Sequence, residues 1–160
     1  MASGVEGNGF SRCLVERLGA VLGGLGPGVA EALRREGWRS LEWQRVKRRI
    51  AEAIAGCICS LLGRSVYLTD LHGGEPSEGL GDKDIDLVIE CLGPGEAARL
   101  EQVAEERVAE ALARLLGGDP YSVLGVPNIV ELHSSHEFLA ARLLRAGAPY
   151  VENVCSGQRG

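Results

Sequence analysis

The chain has 160 residues, a net charge of −5 and a pI near 5.3, with 45% of residues hydrophobic. That length supports one domain with an extension and a proper hydrophobic core. The acidic balance argues against a general nucleic-acid binder, which carries a basic face. The longest stretch without charge, Leu18–Ala30, is interrupted by Pro27, so no membrane span is expected. No basic start followed by an apolar segment marks a signal peptide. The five cysteines (Cys13, Cys57, Cys59, Cys91, Cys155) are odd in number and lack a CxxC pair. They read as free thiols in a reducing cytoplasm, with Cys57 and Cys91 as small hydrophobes in apolar runs. Arginine outnumbers lysine 15 to 2, a bias of GC-rich or thermophilic sources that says nothing about activity.

In chain order, residues 1–9 are polar and glycine-rich and are expected to fray. Phe10–Gly24 and Pro27–Glu36 read as two short helices, the first weakened by Gly19, Gly23 and Gly24. Leu14, Leu18, Val21 and Leu22 recur at helical spacing and need an apolar surface, on this chain or on a second copy in a homodimer. Trp38 and Trp43 are placed to fasten this extension to the core. Helical periodicity then strengthens through Trp43, Val46, Ile50, Ile54, Cys57, Ile58 and Leu61, with Ser40 as N-cap and Gly63 as stop. The basic cluster Arg45, Lys47, Arg48 and Arg49 is a solvated face of that helix.

Ser65–Leu71 is a β-rich run ending in His72-Gly73-Gly74. A loop rich in Gly, Pro and acids leads to a second strand, Ile85–Leu92. The loop is too short for a crossover helix, so these two strands pair antiparallel. Pro94 opens a helix to Leu116 with Leu100, Val103, Ala104, Val108, Ala111, Leu112 and Leu115 on its apolar stripe. Gly117-Gly118-Asp119-Pro120 breaks it, and Asn128–His133 is a third strand. Ser134 and Glu137 form a capping box for a last helix carrying Phe138, Leu139, Leu143 and Leu144. Pro149–Val154 adds a short edge strand. The expected architecture is an α/β (α+β) fold with a small mixed sheet of three to four strands covered by helices. Its parts are an N-terminal helical extension (1–39), the main domain (40–154) and a short tail (155–160).

The chemistry concentrates around Asp84-Ile85-Asp86-Leu87. Strand alternation turns Asp84 and Asp86 to one face, about 6–7 Å apart, and Ile85, Leu87 and Ile89 to the other. Adjacent acids at the start of a buried strand repel and lose solvation unless a cation lies between them. Hard oxygen ligands of this kind, completed by substrate phosphates, suit Mg²⁺. Glu131 is an acid inside a short strand; beside Ile85–Leu92 it projects toward the aspartates, whereas alone it is an ordinary exposed acid. His133 shares the face of Glu131. An HxxH metal pair with His136 is disfavoured, because the two straddle a strand end and a helix cap. His72 and Asp70 read as a solvated turn residue and a local structural bond, and Arg142 and Arg145 as charges near a helix C-terminus.

Gly73-Gly74, a loop of about ten residues, Asp84-Ile85-Asp86-Leu87 and a later-strand acid, Glu131, together resemble the polymerase-β-like nucleotidyltransferases, in particular the small minimal nucleotidyltransferase group. Phe138–Tyr150 is similar to the closing helix and edge strand of that group, and the likeness spans Ser40 to Glu152. It implies Mg²⁺-dependent transfer of a nucleoside monophosphate from ATP or another NTP to a hydroxyl. Asp84, Asp86 and Glu131 would be the metal and catalytic carboxylates, and Gly73, Gly74 and Lys83 the nucleotide-binding residues. Lys83 is equally a loop lysine in water. Small members of the group resemble antitoxins paired with a HEPN-type helical toxin that they modify, so the acceptor here would be a protein partner. Gly74 stands where the group has serine and Glu131 where it has aspartate. Those departures favour the alternative, a catalytically silent relative that acts by binding a nucleotide or a partner.

Overall fold

The computed structural model describes residues 2–69, 83–136, 152–153 and 155, without the side chains of residues 2–8, 69, 152 and 153. Its elements run α1 (Ala2–Gly23), α2 (Pro27–Glu36), a 3₁₀ turn (Gly37–Arg39), α3 (Leu41–Leu62), β1 (Val66–Thr69), β2 (Ile85–Ile89), α4 (Pro94–Leu116), α5 (Pro120–Leu124), β3 (Val130–Ser134) and β4 (Glu152–Asn153). This is an α+β fold with a small mixed sheet in the order β3-β2-β1-β4. Strand β2 pairs antiparallel with β1 and parallel with β3, and β4 pairs antiparallel with the far edge of β1.

The helices start and stop where local chemistry dictates. Ser40 accepts a hydrogen bond from the Glu42 N–H at 3.2 Å and caps α3; Gly63, with φ of 64°, ends it in the left-handed conformation. Pro94 occupies the first turn of α4 and Gly117 closes it in the same way. Buried Ala97, Leu100, Ala104, Val108, Leu112 and Leu116 form the inward stripe of α4. Helix α3 is central: through its middle, Ala53 to Ile58 are buried at every position.

The N-terminal segment departs from expectation. Helical backbone begins at Ala2 rather than after residue 9, and α1 runs on to Gly23. Phe10, Leu14, Leu18 and Leu22 are buried in the same apolar cluster as α3, α4 and the sheet, so the stripe is covered by this chain's own core. Packing of that face outweighs the glycine-weakened propensity. At Gly37, φ is 65° and an added Cβ would lie 2.8 Å from the Leu124 carbonyl oxygen, so only glycine lets α5 approach this turn. The short helix α5 itself lies in the region read as a helix break; Asp119 caps it, accepting from the Tyr121 N–H at 3.4 Å.

The reading of five free thiols is corrected. Cys13 of α1 is bonded to Cys57 of α3, and Cys59 of α3 to Cys155, with Cα separations of 5.8 and 6.1 Å, within the range a disulfide spans. Only Cys91 keeps a thiol. Disulfides persist in oxidising compartments and inside hyperthermophile cells, so cysteine usage no longer points to a reducing cytoplasm. No single helix among the described residues is long and apolar enough to cross a membrane.

Candidate functional site

Parallel pairing of β2 with β3 sets Ile85 against Val130, Asp86 against Glu131, Leu87 against Leu132 and Val88 against His133. Partners across a sheet share a face, so Leu87 and Leu132 enter the core while Asp86, Glu131 and His133 meet on the opposite side. Asp86 is only 1% exposed. The Nε2 of His133 lies 3.2 Å from Asp86 Oδ1 and 3.7 Å from Glu131 Oε2. The other Asp86 oxygen, Oδ2, is buried with no hydrogen-bond partner among the described residues. One ligand atom from each of Asp86, Glu131 and His133 lies within 4.8 Å of the other two.

Asp84 joins the group through Asn128, whose amide donates to Asp84 Oδ2 at 3.4 Å and to Glu131 Oε1 at 3.3 Å. Helix α3 fixes the backbone at the entry to β2. The buried Trp43 indole donates to the Lys83 carbonyl at 2.8 Å, and the Lys47 ammonium to the Asp84 carbonyl at 3.3 Å. The Lys83 ammonium itself lies 5.5 Å over the Trp38 ring, a cation–π arrangement. Gly73 and Gly74, like Asp70, His72, Arg142 and Arg145, fall outside the described residues.

Acids on α4 hold the outer edge of β3. Glu105 accepts from the Ile129 N–H at 3.1 Å and the Val130 N–H at 2.8 Å, and Glu101 accepts from the Leu132 N–H at 2.8 Å. These bonds satisfy donors that an edge strand would otherwise leave to water or to another chain. The Tyr121 hydroxyl donates to Glu105 at 2.5 Å. Burial first, and that bond second, push the phenol well above its ordinary range. Between α4 and β3 opens a cleft of about 810 Å³, walled by Glu101, Gln102, Glu105, Tyr121, Asn128, Glu131 and His133.

The electrostatics follow from crowding. Burial, then the adjoining Asp86 carboxylate, raise the Glu131 carboxyl above its usual range, against smaller opposite effects of His133 and Asn128. Two carboxylates side by side have no proton between them unless one is neutral, so the pair holds either a proton or a cation. The donors fit a divalent ion: two carboxylates and an imidazole converge, and one buried carboxylate oxygen has no other partner. Of the residues singled out in the sequence, Asp84, Asp86 and Glu131 are brought to one neighbourhood with Lys83 at its margin. Four contributors carry little signal for these roles in the sequence. For His133 the one signal is its i+2 spacing from Glu131, which puts both on one strand face. Asn128 precedes the strand as an unremarkable polar residue. Glu101 and Glu105 look like solvated helix acids, and nothing local distinguishes them. No protein-family model, curated protein or solved structure matches this chain.

Proposed function

We propose that this face is the active site of a divalent-cation-dependent nucleotidyltransferase with a nucleotidyltransferase-like fold. The observation that carries the reading is the in-register pair Asp86–Glu131, linked by Asn128 to Asp84. It supplies the three-carboxylate arrangement that the Gly-Gly and Asp-x-Asp motifs imply. Asp84, Asp86 and Glu131 would hold Mg²⁺, which neutralises triphosphate charge when bound. Glu131, on the strand beside Asp86, is the carboxylate placed to take the proton of the acceptor hydroxyl. The acceptor oxygen then bonds to the α-phosphorus, the bond to pyrophosphate breaks, and the nucleoside monophosphate is transferred. Asn128 orients the two carboxylates it bridges, and the α4–β3 cleft has the size of a small-molecule site. The acceptor is brought by another chain, in the manner of an antitoxin-like protein and its helical partner.

Calorimetric titration with ATP, first with Mg²⁺ and then with chelator, tests this reading. Binding is expected with the cation and lost without it, and Asp86→Asn removes the dependence. Equal affinity in both conditions would show that no nucleotide site of this kind is built here.

A further inference from the structure

We propose that His133 joins Asp86 and Glu131 as a ligand of the cation site and makes it selective for first-row transition ions, Zn²⁺ above Mn²⁺, over Mg²⁺ and Ca²⁺. The inference rests on the cation-dependent reading for its pocket but requires no nucleotide. Its first support is spacing. Ligand atoms about 2.0–2.2 Å from one ion stand roughly 3–4 Å apart. The Nε2 of His133 is already 3.2 Å from Asp86 Oδ1 and 3.7 Å from Glu131 Oε2. Its second support is the buried Asp86 Oδ2, which has no hydrogen-bond partner among the described residues. A carboxylate oxygen withdrawn from water without a donor is costly, and a cation relieves that cost. Its third support is rigidity: all three ligands stand on paired strands, so their approach is set by the sheet register rather than by a loop.

Chemistry then decides which ion. Mg²⁺ demands oxygen ligands and gives up its waters reluctantly. An imidazole nitrogen beside two carboxylates suits Zn²⁺ or Fe²⁺ best, and affinity for such a mixed site rises along the first-row series from Mn²⁺ upward. The set Asp86, Glu131 and His133 therefore discriminates by its nitrogen, whereas three carboxylates alone would not.

The test is titration of the metal-free full chain, without nucleotide, by Zn²⁺, Mn²⁺ and Mg²⁺ in separate calorimetric runs. A Cys91→Ser background removes the remaining thiol as a Zn²⁺ ligand. One ion per chain is expected, with Zn²⁺ and Mn²⁺ at least about tenfold tighter than Mg²⁺. His133→Gln carries an amide to about the position of Nε2, so Asp86 keeps a donor while the imidazole is lost. It should weaken Zn²⁺ and Mn²⁺ roughly 10–100-fold and leave Mg²⁺ nearly unchanged. A purely structural histidine would leave the Zn²⁺ to Mg²⁺ ratio as it was, and that result overturns the proposal. Should the variant lose its helical circular dichroism, pulsed paramagnetic resonance on Mn²⁺-loaded wild type decides instead: imidazole nitrogen coupling supports the assignment and its absence refutes it. Selective binding with no effect of ATP would sink nucleotidyl transfer alone. Mg²⁺-dependent ATP binding with no ion preference would sink this inference alone.

Discussion

Strands β2 and β3 carry two adjacent register pairs of opposite character. Leu87 and Leu132 meet on the core face; one residue earlier, Asp86 and Glu131 meet on the other. The backbone geometry is the same, and only the side chains differ. The leucine pair is stabilised by removal from water, about 1.5–3 kcal/mol for each fully buried side chain. Burial acts in the reverse sense on the acid pair, since it strips solvation from charges that already repel. The sheet thus uses one face to hold the other in a conformation it would not adopt for its own stability. This is the pattern expected where function and folding compete.

Breaking the core side should give the largest effect. Leu87→Ala is expected to destabilise by about 2–5 kcal/mol through lost burial and a residual cavity. Urea unfolding measures it; a loss below about 1 kcal/mol would mean that the core face does not anchor the acids. Next comes the edge that positions Glu131. Glu105→Ala leaves the Ile129 and Val130 N–H groups without their acceptor and should cost about 1–3 kcal/mol. Unchanged stability would show that water replaces the carboxylate at no cost.

The acid side should respond with the opposite sign. Asp86→Asn is expected to raise the stability of the metal-free protein by about 1 kcal/mol while abolishing the rise in melting temperature on adding a divalent ion. Destabilisation without added metal would mean that the carboxylate is held by donors rather than opposed by Glu131. The smallest effect concerns pH. The Glu131 carboxyl is raised in the folded state above its ordinary value of 4.5. The folded protein therefore holds that proton more firmly than the unfolded chain. The associated stability is full below about pH 4.5 and fades as pH rises through the higher folded value. Urea midpoints of wild type and Glu131→Gln across that window should diverge upward in pH, with the wild type falling relative to the variant. Parallel curves would contradict the shift.

The elements that could be read from the residues are those with strong local signals. Helices α3 and α4 announce themselves by period and by caps at Ser40, Gly63 and Pro94. Strands β1 and β2 are short apolar runs whose connection forces antiparallel pairing. The shared face of Asp84 and Asp86 is a property of strand geometry alone. By contrast, α1 holds through Gly19 and Gly23 because its stripe from Phe10 to Leu22 finds a surface in the shared core, and helix propensity carries no trace of that surface. The short helix α5 depends on the close approach permitted at Gly37, more than eighty residues earlier in the chain.

Local patterns therefore suffice for the strongly periodic helices α3 and α4, for the strand face that Asp84 and Asp86 share, and for the main breaks of the chain. These follow from interactions within a few residues. Which groups meet across the chain follows from folding alone. The pairing of Cys13 with Cys57 and of Cys59 with Cys155 bridges separations of 44 and 96 residues. The seating of Glu105 on the β3 edge and the contact of His133 with Asp86 likewise join distant segments. Each depends on the register and on the angle at which a helix crosses the sheet. Those are set by the collective packing of the core, which no local pattern encodes.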